Sequence, residues 1–194
     1  MNILWDFDGT LFDTYPAYTK IVSTVLGGKV DEKEVYQKLK ISFSHAIEYY
    51  KLSDKQMKEI AKLESELSPG DIQPFEKVEE ILQLATKNVI MTHKDREGVM
   101  SILQYYGWDN YFEEIVTSDD GFPRKPHPQA YKYLHQRHQL DLVIGDRELD
   151  ILPGKELGLA TCLFQHPNEI ATYNISDYAE FVEVMNTRKS TFGS

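Results

Sequence analysis

Five short apolar runs punctuate the chain, at residues 2–5, 88–91, 115–117, 140–144 and 159–164. Most lack strict apolar–polar alternation, which is the pattern of strands covered on both faces. Between the later four, apolar residues recur at helical spacing: Val99, Ile102, Leu103 and Tyr106, then Ala130, Tyr131 and Leu134. Strand alternating with helix restricts the fold to a parallel sheet joined by right-handed crossovers. The expectation is therefore an α/β fold with a doubly wound, parallel, five-stranded core.

The interval between the first and second runs breaks this rhythm. It is far longer than one crossover helix needs, and it carries three or four helical patterns with no convincing strand. One spans 16–26; another spans 53–67, where Met57, Ile60, Ala61 and Leu67 mark an apolar face. The stretch 68–74 (SPGDIQP) has the composition of a linker. We therefore expect a core built from 1–13 and 74–194 and an all-helical insertion at 14–73. The chain's 194 residues suffice for one packed core plus such an insertion. The short polar tail after Arg188 is expected to fray.

Charge narrows the partners. With 21 Lys and Arg against 31 Asp and Glu, the net charge is −10, which repels nucleic acid polymers and anionic lipid. A small phosphorylated metabolite stays compatible if the site supplies local positive charge. The one cysteine, Cys162, lies in an apolar run and reads as a buried core thiol. No basic leader or long apolar stretch is visible, so the expected setting is cytoplasmic, with no membrane span.

In an open parallel sheet, function gathers beyond the carboxyl ends of the strands. After the first run comes Asp6-Phe7-Asp8-Gly9-Thr10; after the second, Thr92-His93; before a later helix, Arg124-Lys125-Pro126; after the fourth run, Gly145-Asp146 and then Asp150. Asp6 and Asp8 are two residues apart where a strand ends, and adjacent carboxylates need a cation or a shared proton. Asp146 and Asp150, four apart at a predicted helix start, share one helix face. An oxygen-rich set of this kind suits Mg2+, and no Cys or His cluster competes for a softer metal.

These four segments, in this order, resemble the motifs of the haloacid dehalogenase superfamily in its phosphoglycolate phosphatase-like branch. The resemblance implies a Rossmann-like core with a helical cap, and a Mg2+-dependent phosphatase acting on a small phosphate monoester. It implies that Asp6 is the nucleophile, forming an aspartyl-phosphate, and that Asp8 is the acid/base that protonates the leaving group and activates water. It assigns Mg2+ to Asp6, the Asp8 backbone carbonyl and Asp146, with Asp150 one layer behind. Thr92 and Lys125 are implied to hold phosphate oxygens, with Lys125 also offsetting the charge of Asp6. Asp8 separates this chain from the family's dehalogenases, which lack an acid there, and from its cation pumps, which carry threonine. A phosphomutase outcome and a catalytically idle binding protein on the same fold are the alternatives. Pro153 and Lys155 depart from the small residues expected in the fourth segment, Pro153 being assigned to a tolerant first helical turn.

Around the site, Thr10 and His93 are candidate substrate contacts, His93 also reading as a structural or mouth-lining group. In the insertion, Lys40, Ser42 and His45 lie between two helical patterns and are candidates for contacting the leaving group, with Tyr15 and Tyr18 next. Arg124 is a candidate partner for Asp119 or Asp120. Oligomeric state and substrate identity are not legible.

Overall fold

The computed structural model describes residues 1–183. In chain order its elements are β1 (Asn2–Trp5), β2 (Phe12–Asp13), α1 (Tyr15–Val25), α2 (Glu32–Ile41), α3 (Phe43–Tyr50), α4 (Asp54–Ser65), β3 (Gln73–Pro74), α5 (Val78–Leu84), β4 (Lys87–Met91), α6 (Arg96–Tyr106), β5 (Phe112–Val116), α7 (Gln129–His138), β6 (Leu142–Gly145), α8 (Glu148–Glu156), β7 (Ala160–Phe164) and β8 (Tyr173–Ile175). The chain forms two compact units, one from Met1–Phe12 and the chain from Pro74 onward, the other from Asp13–Gln73. The tail after Arg188 lies outside the described residues.

In the first unit, six described strands form one sheet in the order β5-β4-β1-β6-β7-β8, with every neighbouring pair parallel. The chain steps outward from β1 through β4 to β5, then returns to place β6 on the other side of β1. That reversal puts the topological switch point between β1 and β6, where open α/β sheets hold their ligands. The central strands are apolar because both faces are covered; all four residues of β6 are buried. Leu4, Val89, Met91, Val116 and Val143 pack with Ala130, Tyr131 and Leu134 of α7 and with Leu140. Each aliphatic side chain so buried contributes about 1.5–3 kcal/mol relative to exposure. Trp5 is fully buried, and its indole N–H donates to Asn88 Oδ1 at 2.8 Å.

The sheet has one strand more than the five apolar runs. The sixth, β8, is an edge strand of three residues in which only Ile175 is buried, so it leaves no apolar run to read. At the opposite edge β5 starts three residues before the run at 115–117, because Glu113 and Glu114 occupy its first half. Pro153 also corrects its expectation. It lies in the second turn of α8, fully within the helix, where it cannot donate to the carbonyl four residues back.

The second unit holds α1 to α4 around Tyr15, Ile21, Val22, Val35, Leu39, Ala46 and Ile60. Three of its helices, α2, α3 and α4, begin at side-chain caps. Asp31 accepts the Lys33 N–H, Ser42 accepts the His45 N–H, and Ser53 exchanges bonds with Gln56, each cap satisfying N–H groups that a helix start leaves open. Among the described residues no helix is long and apolar enough to cross a membrane.

Candidate active site

The site begins where β1 ends. The Asp6 N–H donates to the Ile144 carbonyl at 2.9 Å, extending the sheet ladder by one residue, and Asp6 is buried. The chain then turns sharply. Gly9 adopts φ +81°, a region open mainly to glycine, and the Phe7 carbonyl accepts from the N–H groups of Thr10, Leu11 and Phe12. This turn directs the Thr10 hydroxyl to Asp6 Oδ2 at 3.3 Å. Thr10 is fully buried, so the hydroxyl that the sequence reading offers to substrate is instead directed at the Asp6 carboxylate. Its carbonyl accepts from the buried Tyr178 hydroxyl at 2.8 Å, a support for the turn from 168 residues away that nothing in the sequence announced.

Lys125 enters from the loop before α7. Its ammonium lies 2.5 Å from Asp6 Oδ1 and 2.9 Å from Asp150 Oδ1, with its side chain fully buried. Burial works against its charge, but Asp150 and Asp6 outweigh it and hold the ammonium well above its ordinary pKa. The Lys125 backbone N–H donates to His93 Nε2 at 2.9 Å. That bond needs a neutral imidazole, and burial with the charges of Lys125 and Arg124 pushes His93 down to about 3. His93 thus braces the loop that carries Lys125. Thr92, also buried, accepts the Lys94 N–H on Oγ1 at 3.1 Å, and its own O–H remains available to donate.

The fourth segment follows β6. An ideal Cβ on Gly145 would sit 2.4 Å from Asp150 Cβ, so glycine is what lets α8 tuck Asp150 against the strand end. Asp146 and Asp150 are both fully buried. Asp150 accepts from Lys125, from the Arg147 backbone at 3.1 Å and from the Arg147 guanidinium at 3.0 and 3.2 Å. Burial opposes its ionisation, but Arg147 and Lys125 outweigh it and bring its pKa to about 2. Tyr131 of α7 donates to the Asp150 carbonyl at 2.7 Å.

One carboxylate oxygen each from Asp6, Asp146 and Asp150 lies within 4.8 Å of the others. The donor set is all oxygen and anionic, which fits a hard divalent cation such as Mg2+. Burial and the Asp150 charge push Asp6 up to about 7, despite Lys125 and Arg147; further positive charge would keep it ionised. Asp150, read from sequence as one layer behind, belongs geometrically to this carboxylate group. Asp8 is half-buried on the same loop, and its carboxylate is not part of this group.

Core motif residues thus come together in one unit, whereas Lys40, Ser42 and His45 belong to the other. There, the Lys40 ammonium lies 4.3 Å from the centre of the Tyr15 ring, Ser42 is the cap of α3, and the His45 ring stacks on Tyr49 at 6.1 Å. Asp119 and Asp120 are bound by Arg96 rather than by Arg124: the Arg96 N–H donates to Asp119 and its guanidinium grips Asp120 at 2.7 and 3.0 Å.

Known proteins resemble this chain in sequence and fold. Residues 3–164 match the family model described as haloacid dehalogenase-like hydrolase. The chain is 26% identical over 178 residues to the pyrophosphatase PpaX of Halalkalibacterium halodurans, spanning 84% of this chain and 82% of that protein. It is 31% identical over 90 residues to a phosphoglycolate phosphatase of Vibrio vulnificus, spanning 44% of this chain and 40% of that protein. Among solved structures, a hydrolase from Streptococcus pneumoniae superposes with a TM-score of 0.67 at 29% identity, covering 95% of this chain and 97% of that one.

Proposed function

The chain belongs to the haloacid dehalogenase-like hydrolase family, and from that membership we propose that it is a Mg2+-dependent phosphatase acting on a small phosphate monoester through an aspartyl-phosphate. The observation that carries the proposal is the buried Asp6–Lys125 pair at 2.5 Å, set beside two further carboxylates at the switch point of the sheet. The names of the relatives, a pyrophosphatase and a phosphoglycolate phosphatase, support a small substrate carrying a phosphoryl group.

In this reading Asp6 attacks phosphorus, the ester oxygen leaves, and water then cleaves the acyl-phosphate, splitting one difficult displacement into two. Lys125 holds the attacking carboxylate in one orientation and stabilises charge on the phosphoryl oxygens. Thr92 donates its O–H to one of those oxygens. Asp8, more exposed and two residues on, gives a proton to the leaving alkoxide and takes one from the incoming water. Asp6, the Asp8 carbonyl and Asp146 are the groups that would hold Mg2+, which when bound would supply positive charge between nucleophile and phosphate. The helical unit at 14–73 serves as the cap that selects the leaving group, with Lys40 and His45 as contacts; Ser42, spent on capping α3, is the weaker candidate. A cytoplasmic setting fits the single thiol, buried and pushed up to about 12.

Purified wild-type chain and Asp6→Asn should be assayed on a panel of phosphate monoesters with Mg2+, and again with chelator. Turnover by wild type with Mg2+ alone, abolished in a folded Asp6→Asn variant, is expected. Turnover that survives both chelation and the substitution would point to a different mechanism.

A further inference from the structure

Arg147 has no part in the roles above, yet its side chain reaches all three carboxylates of the cluster. The guanidinium grips Asp150 at 3.0 and 3.2 Å. Its Nε lies 3.6 Å from Asp146 Oδ1, and its Nη2 lies 4.0 Å from Asp6 Oδ2. The side chain is only 17% exposed, so water screens these interactions weakly. A guanidinium keeps its charge at any ordinary pH, and its planar fork matches a carboxylate.

With all three carboxylates ionised, Lys125 and Arg147 leave the cluster one net negative charge. A divalent cation would therefore enter a cluster that already holds two positive groups, one of which, Arg147, lies within 4.0 Å of an oxygen of both Asp6 and Asp146. We infer that Arg147 is a resident counter-cation that competes with the divalent metal, engaging Asp146 and Asp6 electrostatically and turning Asp150 toward itself. It thereby holds metal affinity below what the three carboxylates would give, and metal binding loosens its grip. This rests on the proposed metal dependence.

The test is calorimetric Mg2+ binding to the full chain as wild type, Arg147→Gln and Arg147→Lys, in the absence of substrate. Glutamine removes the charge while Lys125 keeps Asp150 paired; lysine keeps the charge without the fork. Arg147→Gln should bind Mg2+ about tenfold more tightly, equivalent to about 1.4 kcal/mol, and Arg147→Lys should stay close to wild type. Equal or weaker binding by a folded Arg147→Gln variant would overturn the inference, as would a lysine variant that tightens as much as the glutamine one. Should the variants not fold, the Nε–H signal of Arg147 in the wild-type NMR spectrum decides. It should exchange faster with water as Mg2+ saturates the site; unchanged exchange in the saturated protein overturns the inference. Absence of any Mg2+ binding by wild type would instead sink the metal-dependent reading itself, a result distinct from bound metal at unchanged affinity across the variants.

Discussion

Gly145 shows how much of the site hangs on a single missing methyl group. A Cβ there meets Asp150 Cβ at 2.4 Å, and Asp150 in turn anchors Lys125 and Arg147. Gly145→Ala should therefore cost about 1–3 kcal/mol of stability through overpacking and lower turnover as well, because α8 must move and take Asp150 with it. Urea unfolding and steady-state kinetics on the same preparation check this; a variant of unchanged stability and activity would show that the clash relaxes without cost. At this scale the sequence was most legible where chemistry needs a particular residue type at a strand end. Asp6, Thr92 and Asp146 could be placed at one sheet edge because each stands just beyond an apolar run, and Lys125 because it stands before a crossover helix. The bond from Thr10 to Asp6 is not legible in the sequence, since a hydroxyl two residues beyond Asp8 gives no sign of which carboxylate the turn aims it at. Arg147 stood within the fourth motif but went unread, because a lone arginine between two aspartates is indistinguishable on paper from a solvated one.

Between elements, the join of β5 to α7 carries a partly exposed ion network. Glu114 accepts from the Tyr133 hydroxyl at 2.7 Å and from Arg137 Nε at 2.8 Å, and lies 2.6 Å from His138 Nε2. Burial raises the Glu114 pKa, but its bonds to His138, Tyr133 and Arg137 outweigh this and lower it from 4.5 to about 2. A depressed carboxylate pKa contributes stability above its unfolded value and loses it as pH falls toward the folded one. The contribution should therefore be intact above pH 4.5 and vanish progressively toward pH 2. Glu114→Gln should unfold at lower urea than wild type at neutral pH, and the difference should shrink through that acidic window. A gap independent of pH would mean the residue contributes packing alone. The same glutamate explains a partial misreading, because two acids at the start of an edge strand conceal it from an apolar-run search. The helices of the insertion were easier where the apolar stripe was long, as in α1 and α4. The short α2 and α3, meeting at Ser42, are defined by caps more than by periodicity.

For the molecule as a whole, the division into two compact units follows from one overlong crossover, and the parallel pairing of the sheet from the alternation of strands and helices. The sequence could not convey which cap residues touch a substrate, because that depends on how leaving groups meet side chains from separate parts of the chain. If Lys40 or His45 supplies such contacts, changing either to Ala should lower kcat/KM for the physiological substrate by about tenfold to a hundredfold, the effect of losing one or two polar contacts worth roughly 1–3 kcal/mol. A small aryl phosphate, having no group for them to hold, should be hydrolysed almost as before. Equal losses on both substrates would assign these residues to closure or stability. The account as a whole turns on Asp6 becoming covalently phosphorylated. Acid-quenching the wild-type enzyme during turnover, followed by peptide mass spectrometry, measures this most directly. A phosphoryl group on the peptide carrying Asp6, removed by hydroxylamine and absent from Asp6→Asn, is the predicted result. Rapid turnover with no phosphorylated peptide at any quench time, even when hydrolysis of the acyl-phosphate is slowed by Asp8→Asn, would contradict the account.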